Sequence, residues 1–121
     1  MLLDINDEKT IGDLQDRFSE CFPNLKIEFY KNAHSWHGRS LPKQEIAPGK
    51  KLKDIRRKHE NSLFQIKSTS KTGDIEAELK KRFGLFAQVY YNTNNTWTET
   101  TGTDDLTLKQ LMLMAKGVTT R

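Results

Sequence analysis

Apolar residues recur along this chain in two alternating rhythms, and the rhythms change in the same order twice. Leu3 and Ile5 alternate with polar neighbours, the period-two pattern of a half-buried strand. Leu14, Phe18 and Phe22 then follow at intervals of four, which places them on one stripe of a helix. Thr10 stands where an N-cap belongs, with Asp13 three residues on, and Pro23 ends the helix. Leu25, Ile27 and Phe29 return to alternation and predict a second strand.

A shift of 61 positions repeats the series. Leu3 falls on Phe64, Ile5 on Ile66, Gly12 on Gly73, Asp13 on Asp74, Leu14 on Ile75, Phe18 on Leu79 and Phe22 on Phe83. After a one-residue deletion Phe29 meets Val89 and Tyr30 meets Tyr90; Trp36 and Trp97 return to the original shift. Leu52 and Ile55 correspond to Leu108 and Leu111 after further deletions. In the second copy Ser70 or Thr72 is the expected helix cap, and Gly84 suits the left-handed position just past the helix end. Ala87, Val89 and Tyr91 alternate, and Asn92 to Asn95 predicts a hairpin turn into a strand at Trp97. A terminal helix follows, capped by Thr107 with Gln110 and ended by Gly117; its counterpart over Lys51–His59 has only Leu52 and Ile55 as apolar anchors. The polar stretch His37–Gly49 lacks periodicity and predicts a mobile loop.

This order predicts an α+β chain of internally duplicated β-α-β(-β)-α units, because each helix stripe must be buried against a sheet face. Merged sheets would give a ferredoxin-like or related pseudo-two-fold arrangement with helices packed on one sheet. The preferred organisation is a single domain, 1–121, made of repeats 1–60 and 61–121. The alternative is two small tandem modules with a boundary near 59–62, a size at which independent folding is marginal.

Composition narrows the function classes. The chain has 121 residues, 20 Lys plus Arg against 16 Asp plus Glu, and 35% hydrophobic residues, which describes a folded polar chain with a modest core. No apolar run reaches the roughly 20 residues of a spanning helix, so no membrane role is expected. The beginning carries no secretory signal, and Cys21 is the only cysteine; a reducing, cytoplasmic setting is expected, in which the Asn94-Asn95-Thr96 sequon goes unused. Charge is segregated: residues 1–30 carry seven acids and three bases, whereas residues 39–58 carry eight bases and two acids. That basic stretch, with Lys50, Lys51, Lys53, Arg56, Arg57 and Lys58, could meet phosphates or an acidic partner, or it could be a solvated connector.

Catalytic and cofactor motifs are sparse. The seven glycines are too dispersed for a phosphate-cradling loop, and no nucleophile elbow is present. His34, His37, His59 and Cys21 are the only soft metal ligands, and their spacing does not form a zinc motif; Cys21 reads as a core or boundary residue. Asp13 and Asp74 occupy equivalent helix starts, where capping accounts for both. No enzyme activity, metal or cofactor is therefore expected. A loop histidine, His34 or His37, is the residual catalytic candidate.

The run Arg82 to Tyr90 loosely resembles an RNA-recognition strand but fails in register, since Phe83 and Gly84 exchange the motif's positions. Phe86 and Tyr90 nevertheless share one strand face, and Tyr30 is the repeat equivalent of Tyr90. If helices cover the opposite face, Tyr30, Trp36, Tyr90 and Trp97 form an aromatic partner-binding surface. The leading expectation is a non-enzymatic protein-interaction module of unknown partner. The alternative is single-stranded nucleic-acid binding through segment 39–58 and the sheet aromatics; a third arrangement packs the same rings beneath the terminal helices.

The runs Phe83-Gly84-Leu85-Phe86-Ala87-Gln88-Val89-Tyr90, Trp97 to Thr101, Thr103 to Leu108 and Phe22 to Phe29 together resemble a group of small uncharacterised bacterial proteins. The resemblance implies a bacterial cytosolic origin and brings no activity, cofactor or site residue with it.

Overall fold

A computed structural model describes residues 1–31, 35–36, 39–40, 44–100 and 105–116, with no account of the side chains at 35–36 and 39–40. Among these residues the chain is α+β, with three helices and two larger antiparallel sheets. In order, the elements are β1 (Leu2–Ile5), α1 (Ile11–Cys21), β2 (Leu25–Tyr30), β3 (Ser35–Trp36), β4 (Arg39–Ser40), a 3-10 turn (Leu52–Asp54), β5 (Ser62–Gln65), α2 (Thr72–Phe83), β6 (Phe86–Thr93), β7 (Thr96–Glu99) and α3 (Leu108–Ala115).

Local chemistry explains most boundaries. Thr10 caps α1 reciprocally with Asp13, and Thr107 caps α3 with Gln110, each pair satisfying two backbone N–H groups at a helix start. Gly84 closes α2 at φ 67°, a backbone conformation that penalises any β-carbon, and Lys58 Cβ would lie 3.1 Å from one. Asn94 and Asn95 both take positive φ (52° and 64°) between β6 and β7, as a two-residue hairpin turn requires.

Three local expectations are corrected. The α2 cap is Lys71, not Ser70 or Thr72, and no side chain caps it. The start of α2 is set instead by tertiary pairing: Thr72 N–H donates to Leu106 O at 3.0 Å and Leu108 N–H to Ser70 O at 3.1 Å. Only the 3-10 turn Leu52–Asp54 forms where a helix over Lys51–His59 was expected, because two apolar anchors cannot hold a longer helix and Arg56 is drawn inward. Parts of His37–Gly49 are paired: Arg39–Ser40 lies against Ser35–Trp36, and Glu45 bridges to Tyr30.

The sheets do not merge into one. β1 pairs antiparallel with β5 in a two-stranded ribbon, and the second sheet has the order β2-β6-β7. Each sheet nevertheless joins strands from both halves of the chain: Leu3 lies opposite Phe64, and Ile27 opposite Val89. A matching set of backbone bonds recurs as well. Ile11 N–H donates to Lys50 O, Leu52 N–H to Lys9 O and Lys53 N–H to Asp7 O; further on, Thr72 donates to Leu106 O, Leu108 to Ser70 O and Lys109 to Ser68 O. Every residue of the second set lies 61 or 56 positions after its counterpart, the same offsets as in the sequence alignment.

One apolar cluster underlies all of this. Leu14 and Phe18 of α1, Ile75, Leu79 and Phe83 of α2, and Leu108 and Leu111 of α3 meet Leu3, Ile5, Phe64, Ile27, Phe29 and Val89 from the strands. Each fully buried side chain of this size stabilises the fold by roughly 1.5 to 3 kcal/mol relative to exposure.

Candidate functional site

The register of the three-stranded sheet decides where the aromatic residues go. Lys26 lies opposite Tyr90, Glu28 opposite Gln88 and Tyr30 opposite Phe86, while β7 sets Trp97 opposite Asn92 and Glu99 opposite Tyr90. These residues share the face turned away from Leu25, Ile27 and Val89, since side chains alternate along a strand. That face is not an open stacking platform. Tyr30 is 2% exposed and Tyr90 9%, and their phenol oxygens hydrogen-bond to each other; Tyr90 Oη also donates to Glu99 Oε1 at 3.3 Å. Burial pushes the Tyr30 phenol far above its ordinary pKa, helped by the Tyr90 bond and by the carboxylates of Glu45 and Glu28.

Tyr30 and Tyr90 are therefore corrected from exposed contacts to buried ones. Pairing two phenols inside satisfies hydroxyls that burial would otherwise leave costly. Trp97 keeps 41% of its surface exposed, with Lys26 Nζ 4.7 Å from its ring centroid and 5.4 Å from that of Tyr90. The side chain of Trp36 lies outside the described residues, as do His34 and His37.

The basic segment is largely engaged by the protein itself. Arg56 is buried: its Nε and Nη2 donate to Asp7 Oδ1 at 3.1 and 2.9 Å, Nη2 to Asn61 Oδ1 at 3.0 Å, and Nη1 to Glu60 O at 3.0 Å and Phe83 O at 3.2 Å. It is corrected from a phosphate contact to a clasp joining the turn after β1, the approach to β5 and the end of α2. Lys51 and Lys53 pair with Glu8 at 3.2 and 3.5 Å, and Lys58 donates to Lys81 O. Lys50 and Arg57 are exposed and form no ion pair among the described residues.

His59 Nδ1 lies 2.9 Å from Asp7 Oδ2, on the carboxylate that Arg56 also binds. Desolvation raises the Asp7 carboxyl, but the hydrogen bonds and charges of His59 and Arg56 outweigh it and hold the group below its ordinary pKa. The pair is an ion-pair network without a nucleophile: among the described residues no hydroxyl or thiol bonds to His59. Among those residues, too, no group of three His, Cys, Asp or Glu could hold a metal, and no helix is long and apolar enough to cross a membrane. Cys21 packs against the core at the end of α1.

The most exposed aliphatic surface lies elsewhere, on the β1-β5 ribbon. Leu2 is 50% exposed and Leu63 55%. Leu2 lies opposite Gln65 and Leu63 opposite Asp4, so both leucines project from the outer face as diagonal neighbours. Met1 and Ile66 exchange both backbone hydrogen bonds, which makes Leu3–Phe64 and Ile5–Ser62 the bonded pairs and turns the backbone groups of Leu2, Asp4, Leu63 and Gln65 outward. Those groups have no backbone partner among the described residues, so both long edges of the ribbon are open.

A groove runs beside each strand. One, of about 310 Å³, lies between β1 and α1, floored by Leu3 and Leu14; the other, of about 410 Å³, lies between β5 and α2, floored by Phe64 and Ile75. Leu2, Leu3, Asp13 and Leu14 in the first correspond to Leu63, Phe64, Asp74 and Ile75 in the second at the 61-residue shift. The sequence carried this signal. Leu2 and Leu63 are apolar residues out of phase with the buried alternation, 61 positions apart.

The chain matches no known protein family, no curated protein and no solved structure.

Proposed function

We propose that this chain is a non-enzymatic protein-interaction module that engages its partner through the β1-β5 ribbon. The carrying observation is the pair Leu2 and Leu63, half-exposed leucines on a ribbon whose two edges are unpaired among the described residues. Large apolar side chains and unsatisfied strand edges are liabilities that a folded protein normally covers, and a partner strand or surface removes both at once. Within the same proposal the molecule is one domain formed by duplication of a β-α-β unit. The recurrence of the backbone bonds Ile11–Lys50 and Leu52–Lys9 as Thr72–Leu106 and Leu108–Ser70 supports it, as do the paired grooves. A bacterial cytoplasmic setting completes the reading.

The test is capture from host lysate by the tagged protein and by a Leu2→Lys/Leu63→Lys variant, each with and without nuclease. The proposal expects a protein retained by the parent after nuclease treatment and lost by the variant. Retention that disappears with nuclease, and is unaffected by the two lysines, would move the function to nucleic-acid binding.

A further inference from the structure

Resting on that reading, we infer that the partner presents an extended segment of alternating apolar and basic residues, which adds as an extra strand to an open edge of the ribbon and lies in the groove beside it. Three independent features converge on this chemistry. The first is the backbone: Leu2 and Asp4 on one edge, and Leu63 and Gln65 on the other, turn N–H and C=O groups outward at strand spacing, a row that another extended backbone matches group for group. The second is the apolar content. Every second side chain of an added strand would fall on the outer face beside Leu2 or Leu63, where apolar residues extend the exposed leucine patch.

The third is charge. In a protein with a net positive charge of +4, the β1 groove is lined by Asp4, Asp13, Asp16 and Glu20 against Lys9 and Arg17. The β5 groove carries Asp74 and Glu78 against Arg82, and Arg82 is already bound to Glu60. Each groove thus has an acidic wall on its helix side. Lysine or arginine at the alternate, inward positions of an added strand would lay its aliphatic stem along the groove floor, Leu3 and Leu14 or Phe64 and Ile75, and bring its charge to that wall, which favours a basic segment over an acidic one by steering and by opposite-charge pairing. A second copy of this chain fits less well. Its own ribbon edges present Leu3, Ile5 and Phe64, none of them basic, at the inward positions where basic residues are needed.

The inference is tested with three fluorescent octapeptides and the full chain, followed by anisotropy: alternating Lys-Val, alternating Glu-Val, and alternating Lys-Val with backbone N-methylation on every second residue. Lys-Val should bind saturably, while Glu-Val and the N-methylated peptide should each bind at least about tenfold more weakly, from lost charge pairing and lost edge hydrogen bonds respectively. The variants Glu20→Lys, at an exposed position, and Glu78→Lys, at a half-exposed one, should together weaken Lys-Val binding by a similar factor. Equal binding of the N-methylated peptide overturns strand addition; equal or tighter binding of Glu-Val overturns the basic partner. Concentration-dependent dimerisation abolished by Leu2→Lys/Leu63→Lys would assign the edge to a second copy and also overturn it. If no peptide binds while the lysate partner is still captured through Leu2 and Leu63, this inference fails and the interaction module stands; if that capture also fails, both fall.

Discussion

Replacing Arg56 with Met isolates what its guanidinium does, because methionine keeps much of the buried aliphatic stem while removing every donor. Two neutral acceptors lose their partner, Phe83 O at the end of α2 and Glu60 O, while Asn61 Oδ1 keeps the N–H of Asp7. At about 1 kcal/mol for each stranded acceptor, the loss is about 2 kcal/mol. Nothing is added for Asp7, whose carboxylate reaches water and keeps His59. Arg57→Met is the matched control. It removes the same charge one residue away, from an exposed side chain, and should change stability by no more than about 0.5 kcal/mol. Urea unfolding followed by tryptophan fluorescence and circular dichroism gives both values, and thermal melts should separate the two variants by roughly 6 to 10 °C for a chain of this size. If Arg56→Met costs no more than Arg57→Met, the clasp is not a stabilising element and the basic segment regains its claim to be a ligand surface.

Two other consequences are open to direct measurement. The Tyr30 phenol is an acid whose folded pKa lies above its unfolded value near 10, so the unfolded chain releases its proton first; stability is intact below pH 10 and falls as pH rises beyond it. Difference absorbance at 295 nm between the parent and Tyr30→Phe should show no Tyr30 ionisation at pH 11 in the folded protein, and a normal phenolate signal there would refute its burial. Thr10→Ala and Thr107→Ala should each cost about 1 kcal/mol in urea unfolding, since each removes one half of a reciprocal cap; a negligible loss at both would show that tertiary bonds such as Ile11–Lys50 and Leu108–Ser70 hold those helix starts alone.

Much of the local structure was legible along the chain. The spacing of Leu14 and Phe18, the Thr10–Asp13 pair, Gly84 and the Asn94-Asn95 turn each specify their element through contacts within a few residues, and those contacts are written in adjacent letters. The lysines and arginines of segment 39–58 looked alike in sequence, yet Arg56 sits inside and Arg57 outside. What separates them is the position of Asp7 and Phe83, 49 and 27 residues away. Exposure of the tyrosines was equally out of reach, because it depends on what lies over the sheet face and on the meeting of Tyr30 with Tyr90 across 60 residues.

By itself, then, the order of residues determined α1, α2 and α3 with their apolar stripes and the strands β1, β2, β5, β6 and β7, because period and capping act over one or two turns of chain. Tertiary structure alone decided that β1 takes β5 as its partner instead of joining the larger sheet. That choice leaves two edges without strand neighbours among the described residues and sets Leu2 and Leu63 outside. The physical reason is range: hydrogen-bond partners for a strand come from wherever the chain brings another backbone alongside, and no local pattern of side chains names them.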